Sequence, residues 1–396
     1  MIDNKDKFAS SGEAVTTKCH KFNYVKSSKI NKQFCEDKLL CGLSGDNSDD
    51  SDSSDSFSLR LGDNNNQGKK KKINLDFLVN VYFLLVLTVV LSIISLAVGV
   101  IDFNFTDLFK SGSEGRYIIL VSRIPRTAAI ILTGMGLALS GLIMQSVSAN
   151  RFVSPTTAGT MSWCQLGILI ATLVFSSSNI SIKILLAFAF ALVGNIFFLG
   201  LLEKIKLKNQ LLIPLIGLML GAVVEAFTSF VGYNFDILQN IQSWTRGSFS
   251  LITQGRYELL YLSIPLIIIS IFFANHFTLL SLGRDMASNL GLSYKKIVRI
   301  ALILVSLISS SIIVTVGSLP FVGLVIPNLV SLLVGDNIKS AISRNLLLGS
   351  CFLLASDILG RLIIFPYEIN VSTIASILGS SIFLVMVIND LKKGRI

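Results

Sequence analysis

Charge is what this sequence has least of. Only 15% of its 396 residues are Asp, Glu, Lys or Arg, against ~25% in an ordinary soluble domain. Histidine is scarcer still, with His20 and His276 the whole supply. No HExxH run, cysteine cluster or serine-triad pattern occurs, so the chain shows no machinery for metal-assisted or nucleophilic catalysis. Its five cysteines (Cys19, Cys35, Cys41, Cys164 and Cys351) lack metal-ligand spacing and read as free thiols. Residues 1–72 contain no apolar core of a secretory signal. What fills the chain instead is apolar side chain: 52% of residues are hydrophobic, and mean hydropathy is +0.70. That is the composition of a polytopic membrane protein. The net charge of +10 therefore reads as basic cytoplasmic loops rather than a nucleic-acid surface.

Two regions are expected. Residues 1–72 are polar, carry the run DNSDDSDSSDS (Asp46–Ser56) and end in Lys69–Lys72. They cannot bury enough apolar surface to order themselves, and read as a disordered cytoplasmic extension. Residues 73–396 form a transmembrane domain. Its apolar blocks approach the ~20 residues a helix needs to cross hydrocarbon. Ten spans are predicted, at 77–100, 126–147, 162–178, 181–202, 211–233, 257–275, 297–317, 321–335, 345–365 and 372–390, with nine as the alternative because Gly, Pro and Ser blur several boundaries. With both termini in the cytoplasm, seventeen basic residues flank the inner ends and about eight the outer ends. The bias runs in the sense of the positive-inside rule.

Small residues are frequent inside these blocks. Gly134 and Gly141 in RIPRTAAIILTGMGLALSGLIMQ (Arg123–Gln145) share a helix face with Ala138, and similar spacing recurs at Gly217–Gly221 and Ser376–Ser380. Membrane helices associate by close packing, which small residues permit. In GSLPFVGLVIPN (Gly317–Asn328), Pro320 and Pro327 remove backbone donors around Gly323. Irregular backbone at membrane depth survives only where protein or a water-filled cavity satisfies it. This favours either a helix lining an internal path or a structural kink.

Few ionisable residues lie in the spans. Glu225 is mid-span, and Asp357 and Arg361 are four apart, close enough to pair on one helix face. A proton-coupled carrier built on Glu225 and Asp357 is one rival reading. The loop LSLGRDMASNLGLSYKKIVR (Leu280–Arg299) combines turns at Gly283 and Gly291 with a short amphipathic helix through Ala287 and Leu290. It keeps Met286, Leu290 and Leu292 toward water, which suits docking into a partner's groove or lying flat on the lipid headgroups.

The Arg123–Gln145 block, with its continuation SVSANRFVSPTTAGT, resembles the signature of permease subunits of the iron-siderophore and cobalamin (FecCD-type) ABC importers. LGRDMASNLGLS, SLPFVGLVIPNLVSLLVGDN and SDILGRLIIFPYEINVSTIASILGSSIFLVMV match further blocks of that family, in its order, over about residues 75–392. The resemblance implies an all-α, type II importer permease of about ten transmembrane helices, multi-pass in the bacterial cell membrane. It implies a second permease copy, identical or homologous, two cytoplasmic ATPase subunits that use ATP and Mg, and an extracytoplasmic siderophore-binding protein. The permease itself would be no enzyme and would bind no cofactor or metal of its own. Arg123, Arg126 and Arg361 match the family's docking arginines for the binding protein. Gly283, Arg284, Ala287, Leu290, Gly291 and Leu292 match its ATPase coupling loop. Gly134, Gly141, Gln145, Pro320, Gly323, Pro327 and Asn328 are candidates for the translocation path or for helix packing. Pro327-Asn328 and Ser331 depart from a P-H and arginine found in many members, while Trp163 and IIFPYEI resemble a catecholate subgroup such as petrobactin or enterobactin permeases. Ferric catecholate is the expected solute, with cobalamin or haem the alternative.

Overall fold

A computed structural model describes residues 80–98, 119–175, 180–204, 212–250, 252, 257–335 and 338–392. The polar extension 1–72 lies outside the described residues. Helices are the regular structure of the described chain, apart from one isolated bridge between Arg246 and Ser318. In chain order the helices are α1 (Val81–Ala97), α2 (Ile124–Ser148), α3 (Thr160–Val174), α4 (Ile180–Lys204), α5 (Leu212–Asn234) and the short α6 (Leu238–Thr245). Then come α7 (Ser263–Phe272), α8 (Ala274–Leu280), the short α9 (Arg284–Asn289), α10 (Tyr294–Val316), α11 (Val322–Val334), α12 (Ile338–Leu362) and α13 (Val371–Lys392).

Each of the ten predicted apolar blocks falls on one of these helices, or on the bent pair α7–α8. Among the described residues six helices are long and apolar enough to cross a membrane, and the pair Glu258–Phe272 and Ala274–Leu280, bent by 64°, makes a seventh. The other three blocks differ from expectation in length. α1, α3 and α11 have 17, 15 and 13 residues, and at ~1.5 Å per residue they fall short of a ~30 Å hydrocarbon core. α11 is cut short because the chain before it, Gly317–Phe321, is not helical. Gly317 there has φ of 93°, a conformation that disfavours any side chain. The break is satisfied by protein: Ser318 N–H donates to Thr245 O at 3.0 Å, and Ser248 N–H donates to Val316 O at 3.0 Å. Pro320 therefore sits in a braced connector.

α2 is the hub. It packs against α12, α10 and α11, while α3 packs against α4 and α5. Of its apolar window 78% is buried, against 22% for α5 and for α13, which lie at the edge. Ile130, Leu137, Ile143 and Met144 of α2 join Ile308 and Ile312 of α10 and Leu353 and Leu354 of α12 in one core. Cys164, Ile168, Ile184, Ala187 and Ala191 form a second core with Ile313 and Val314 on the far side of α10.

Glycine makes the hub possible. A methyl group at Gly134 would lie 2.6 Å from the Gly349 carbonyl oxygen of α12, and one at Gly141 would overlap the Gly323 carbonyl of α11. Backbone therefore meets backbone on two sides of α2, the small-residue packing that lipid-embedded helices favour. Gly217 and Gly221 of α5 play the same part against Gly159. Ser376 and Ser380 do not: Ser380 is exposed, and the close contact on α13 is Gly379 against Phe321.

Candidate functional sites at the two ends of the bundle

At one end, a helix terminus and a charge cluster are built together. The last carbonyls of a helix have no intrahelical partner, and the last turn of α1 carries no basic residue of its own. Two arginines from elsewhere fill the gap. Arg123, in the π-helical turn Ile119–Arg123 that leads into α2, donates from Nη1 to Leu96 O at 2.7 Å. Arg361 donates from Nη1 to Ser95 O and Val98 O at 3.0 and 2.7 Å, and from Nη2 to Ser95 Oγ at 2.7 Å. Cationic donors at a helix C-terminus also oppose the negative end of its dipole.

Asp357 is fully buried between two cations. Its Oδ1 accepts from Arg126 Nη2 at 2.7 Å, and its Oδ2 lies 2.5 Å from Arg361 Nη2. Arg126 reaches outward as well, with Nη1 donating to both carboxylate oxygens of Glu368 at 3.0 and 3.1 Å. Two arginines and two carboxylates thus tie α1, α2, α12 and the α12–α13 loop together. The inner pairs are sequestered, and removing one partner of such a pair costs about 3–5 kcal/mol. The Arg126–Glu368 contact is partly solvated, the side chains being 15% and 32% exposed, and contacts of that kind contribute about 0.2–1 kcal/mol.

Arg361, expected at the docking rim, is drawn inward. Its side chain is 7% exposed and its terminal nitrogens are committed to Asp357 and α1, so it is an internal brace. Arg123 and Arg126 stay half-buried at the rim. The i,i+4 spacing of Asp357 and Arg361 did signal their pair. Nothing in the sequence signalled Arg126 against Asp357, or Glu368 as the partner of Arg126. The carrier pair also fails to form: Asp357 is held by arginines, while Glu225 is exposed midway along α5.

The opposite end holds the loop between α8 and α10. Gly283 and Gly291 take φ of 90° and 81°, and α9 between them is six residues long. Ala287 is fully buried, anchoring α9, while Met286 and Leu290 are 59% and 62% exposed. Arg284 is exposed and Leu292 half-buried beside the core. The loop thus offers a rigid apolar knob. Next to it lies a cavity of about 320 Å³ whose lining includes Gln145, Arg151, Ser281, Leu282, Pro327 and Ser331. Of the expected path residues, Gln145 and Pro327 meet there. Gly134, Gly141 and Gly323 are helix contacts instead. Asn328 is a clasp, its amide donating to Arg151 O at 2.7 Å and Leu324 O at 2.8 Å. Gln145 donates to the same Leu324 carbonyl at 3.3 Å, joining α2 to α11. Among the described residues no group of three or more His, Cys, Asp or Glu comes together.

A tightly packed helical bundle with a charged rim at one end and a projecting apolar helix at the other defines a polytopic membrane permease. Residues 87–389 match the model of the FecCD transport family, and the chain belongs to that family. It is 50% identical over 306 residues to the petrobactin import system permease protein YclN of Bacillus subtilis (strain 168), covering 77% of this chain and 97% of that one. It is 37% identical to the petrobactin import system permease protein FatD of Bacillus anthracis, over 79% of this chain and 92% of the other. The ferric-anguibactin permease FatD of Vibrio anguillarum (strain ATCC 68554 / 775) is 39% identical, with 69% and 87% covered. A solved metal-chelate type ABC transporter in an inward-facing conformation superposes with a TM-score of 0.68 at 25% identity, covering 78% of this chain and 98% of that one. The chain is thus a multi-pass permease of an ABC import system, a transport subunit rather than an enzyme.

Proposed function

We propose that this permease moves a ferric catecholate siderophore of the petrobactin type across the bacterial cell membrane, with both termini in the cytoplasm. The 50% identity to a petrobactin import permease over nearly that protein's whole length carries the reading. Iron here is cargo, enclosed by its chelator. The chain performs no chemistry, and ATP with Mg is used by two ATPase subunits beneath it.

Alternating access then follows from the two ends. The α9 knob, with Met286 and Leu290 exposed on a buried Ala287, seats in an ATPase groove and transmits its closure. Arg123 and Arg126 lie at the rim where an extracytoplasmic binding protein would deliver the chelate. A second permease copy is supported by α5. Its uncovered side exposes Leu218, Met219, Val223 and Phe227 around Glu225, and a mid-span carboxylate is costly against lipid. Protein or a shared aqueous path is the physically cheaper neighbour.

Uptake of radioactive iron by cells carrying this permease as their sole siderophore importer tests the substrate. Ferric petrobactin is expected to be taken up, and ferric enterobactin, ferric citrate and haem far more slowly. Equal uptake of ferric citrate would remove the catecholate assignment.

A further inference from the structure

We propose that Glu368 is an internal stand-in for the binding protein's carboxylate, occupying the outward nitrogen of Arg126 until a partner carboxylate displaces it. The inference rests on the docking reading above. Three observations lead to it. First, Arg126 divides its guanidinium between two acids: Nη2 to Asp357 at 2.7 Å, and Nη1 to both oxygens of Glu368 at 3.0 and 3.1 Å. A carboxylate laid on the outer nitrogen is the geometry an incoming acidic side chain would adopt.

Second, the charges balance. Arg126 and Arg361 face Asp357 and Glu368, two cations against two anions. With Glu368 in place this cluster adds no net positive charge to the rim, which leaves Arg123 beside it as the cation that an acidic surface meets. Once Glu368 leaves, one positive charge appears at the rim, and a partner's carboxylate restores neutrality. Complementary charge of this sort governs encounter and register.

Third, the two acids are held unequally. Asp357 is fully buried within α12, whereas Glu368 lies outside any helix, after the exposed residues Ile363–Tyr367. Phe365 and Tyr367, 60% and 75% exposed, adjoin Glu368 and supply the aromatic area that protein interfaces favour. Displacing Glu368 disturbs the loop and leaves the buried pairs of Asp357 intact. The stand-in therefore raises the threshold for docking and prevents weakly acidic surfaces from engaging the rim.

The experiment uses the complete permease–ATPase complex in nanodiscs, with its solute-binding protein loaded with ferric petrobactin. Binding is measured for wild type, E368Q, E368A and R123E across a range of salt concentrations. E368Q and E368A are expected to bind about two- to fivefold tighter, the fold-change equivalent of one partly exposed ion pair, with a steeper salt dependence. R123E is expected to bind more weakly. If the Glu368 variants bind equally or more weakly while R123E still loses affinity, docking at this rim stands and the stand-in is overturned. If R123E binds like wild type, the docking reading fails and the stand-in fails with it. A chelate-free binding protein serves as the control in each arm.

Discussion

At the scale of single residues, Asp357 is where the membrane's cost of charge is resolved. It is fully buried and held by Arg126 and Arg361, and both arginines would be stranded by its loss. Asp357→Ala is expected to destabilise the bundle by about 3–5 kcal/mol, the range for breaking a buried pair, and to lower the amount of inserted protein. A thermal shift of detergent-solubilised protein checks it. A variant as stable as wild type would show that α1 satisfies Arg361, and Glu368 satisfies Arg126, without it. Arg126→Glu should behave as badly, since it places a second carboxylate against Asp357. It therefore cannot serve as a clean probe of docking, and Arg123, which also donates to Leu96 O of α1, serves only when the inserted amount and melting temperature of the variant are measured alongside. Gly141 is the other decisive residue. Because a side chain there meets the Gly323 carbonyl, Gly141→Leu should separate α2 from α11 and destabilise by at least the ~1–3 kcal/mol of an overpacked core. Gly200, with nothing within 4 Å of an added methyl, should accept Ala without measurable loss of melting temperature.

At the scale of elements, α9 shows how a six-residue helix can act as a rigid part. An isolated helix so short would not be stable in water. Here Gly283 and Gly291 set the entry and exit, and Ala287 is pinned in the bundle. The remaining face carries Met286 and Leu290 outward. Leu290→Glu leaves the anchoring side alone and puts a charge on the exposed knob, so the permease should insert normally and lose its ATPase. Co-purification of the two subunits reads this directly, and retention of the ATPase at wild-type level would exclude the knob from the contact. The Gly317–Phe321 break illustrates a different principle. Its Ser318 N–H donates to Thr245 O, and the Val316 carbonyl just before it accepts from Ser248 N–H, partners of the kind irregular backbone in a membrane must find.

At the scale of the whole molecule, the two ends are chemically distinct: balanced charge at one, an apolar projection and a cavity at the other. Between them α2 is buried on nearly every side. Such a body transmits displacement as a unit because packed cores shift between discrete arrangements instead of deforming. Among the described residues Asp357 is engaged by arginines and Glu225 lies on another helix, so the two do not form a carboxylate pair. Reconstituted without an ATPase, the permease should accumulate no ferric petrobactin under an imposed proton gradient. With ATPase, binding protein and ATP it should. Uphill uptake in the first vesicles would overturn the motor-driven mechanism.

The sequence by itself determined the class of this protein. Apolar blocks of near-membrane length, glycines at helical spacing and basic residues biased to alternate loops are local properties, and the α9 turns are written in Gly283 and Gly291. The i,i+4 pairing of Asp357 and Arg361 was legible for the same reason. The tertiary structure alone decided what the arginines do. Arg126 meets Asp357 across 231 positions of chain, and Arg361 meets Ser95 across 266. No periodicity reports contacts so remote, because they exist only once α1, α2 and α12 are packed at backbone distance.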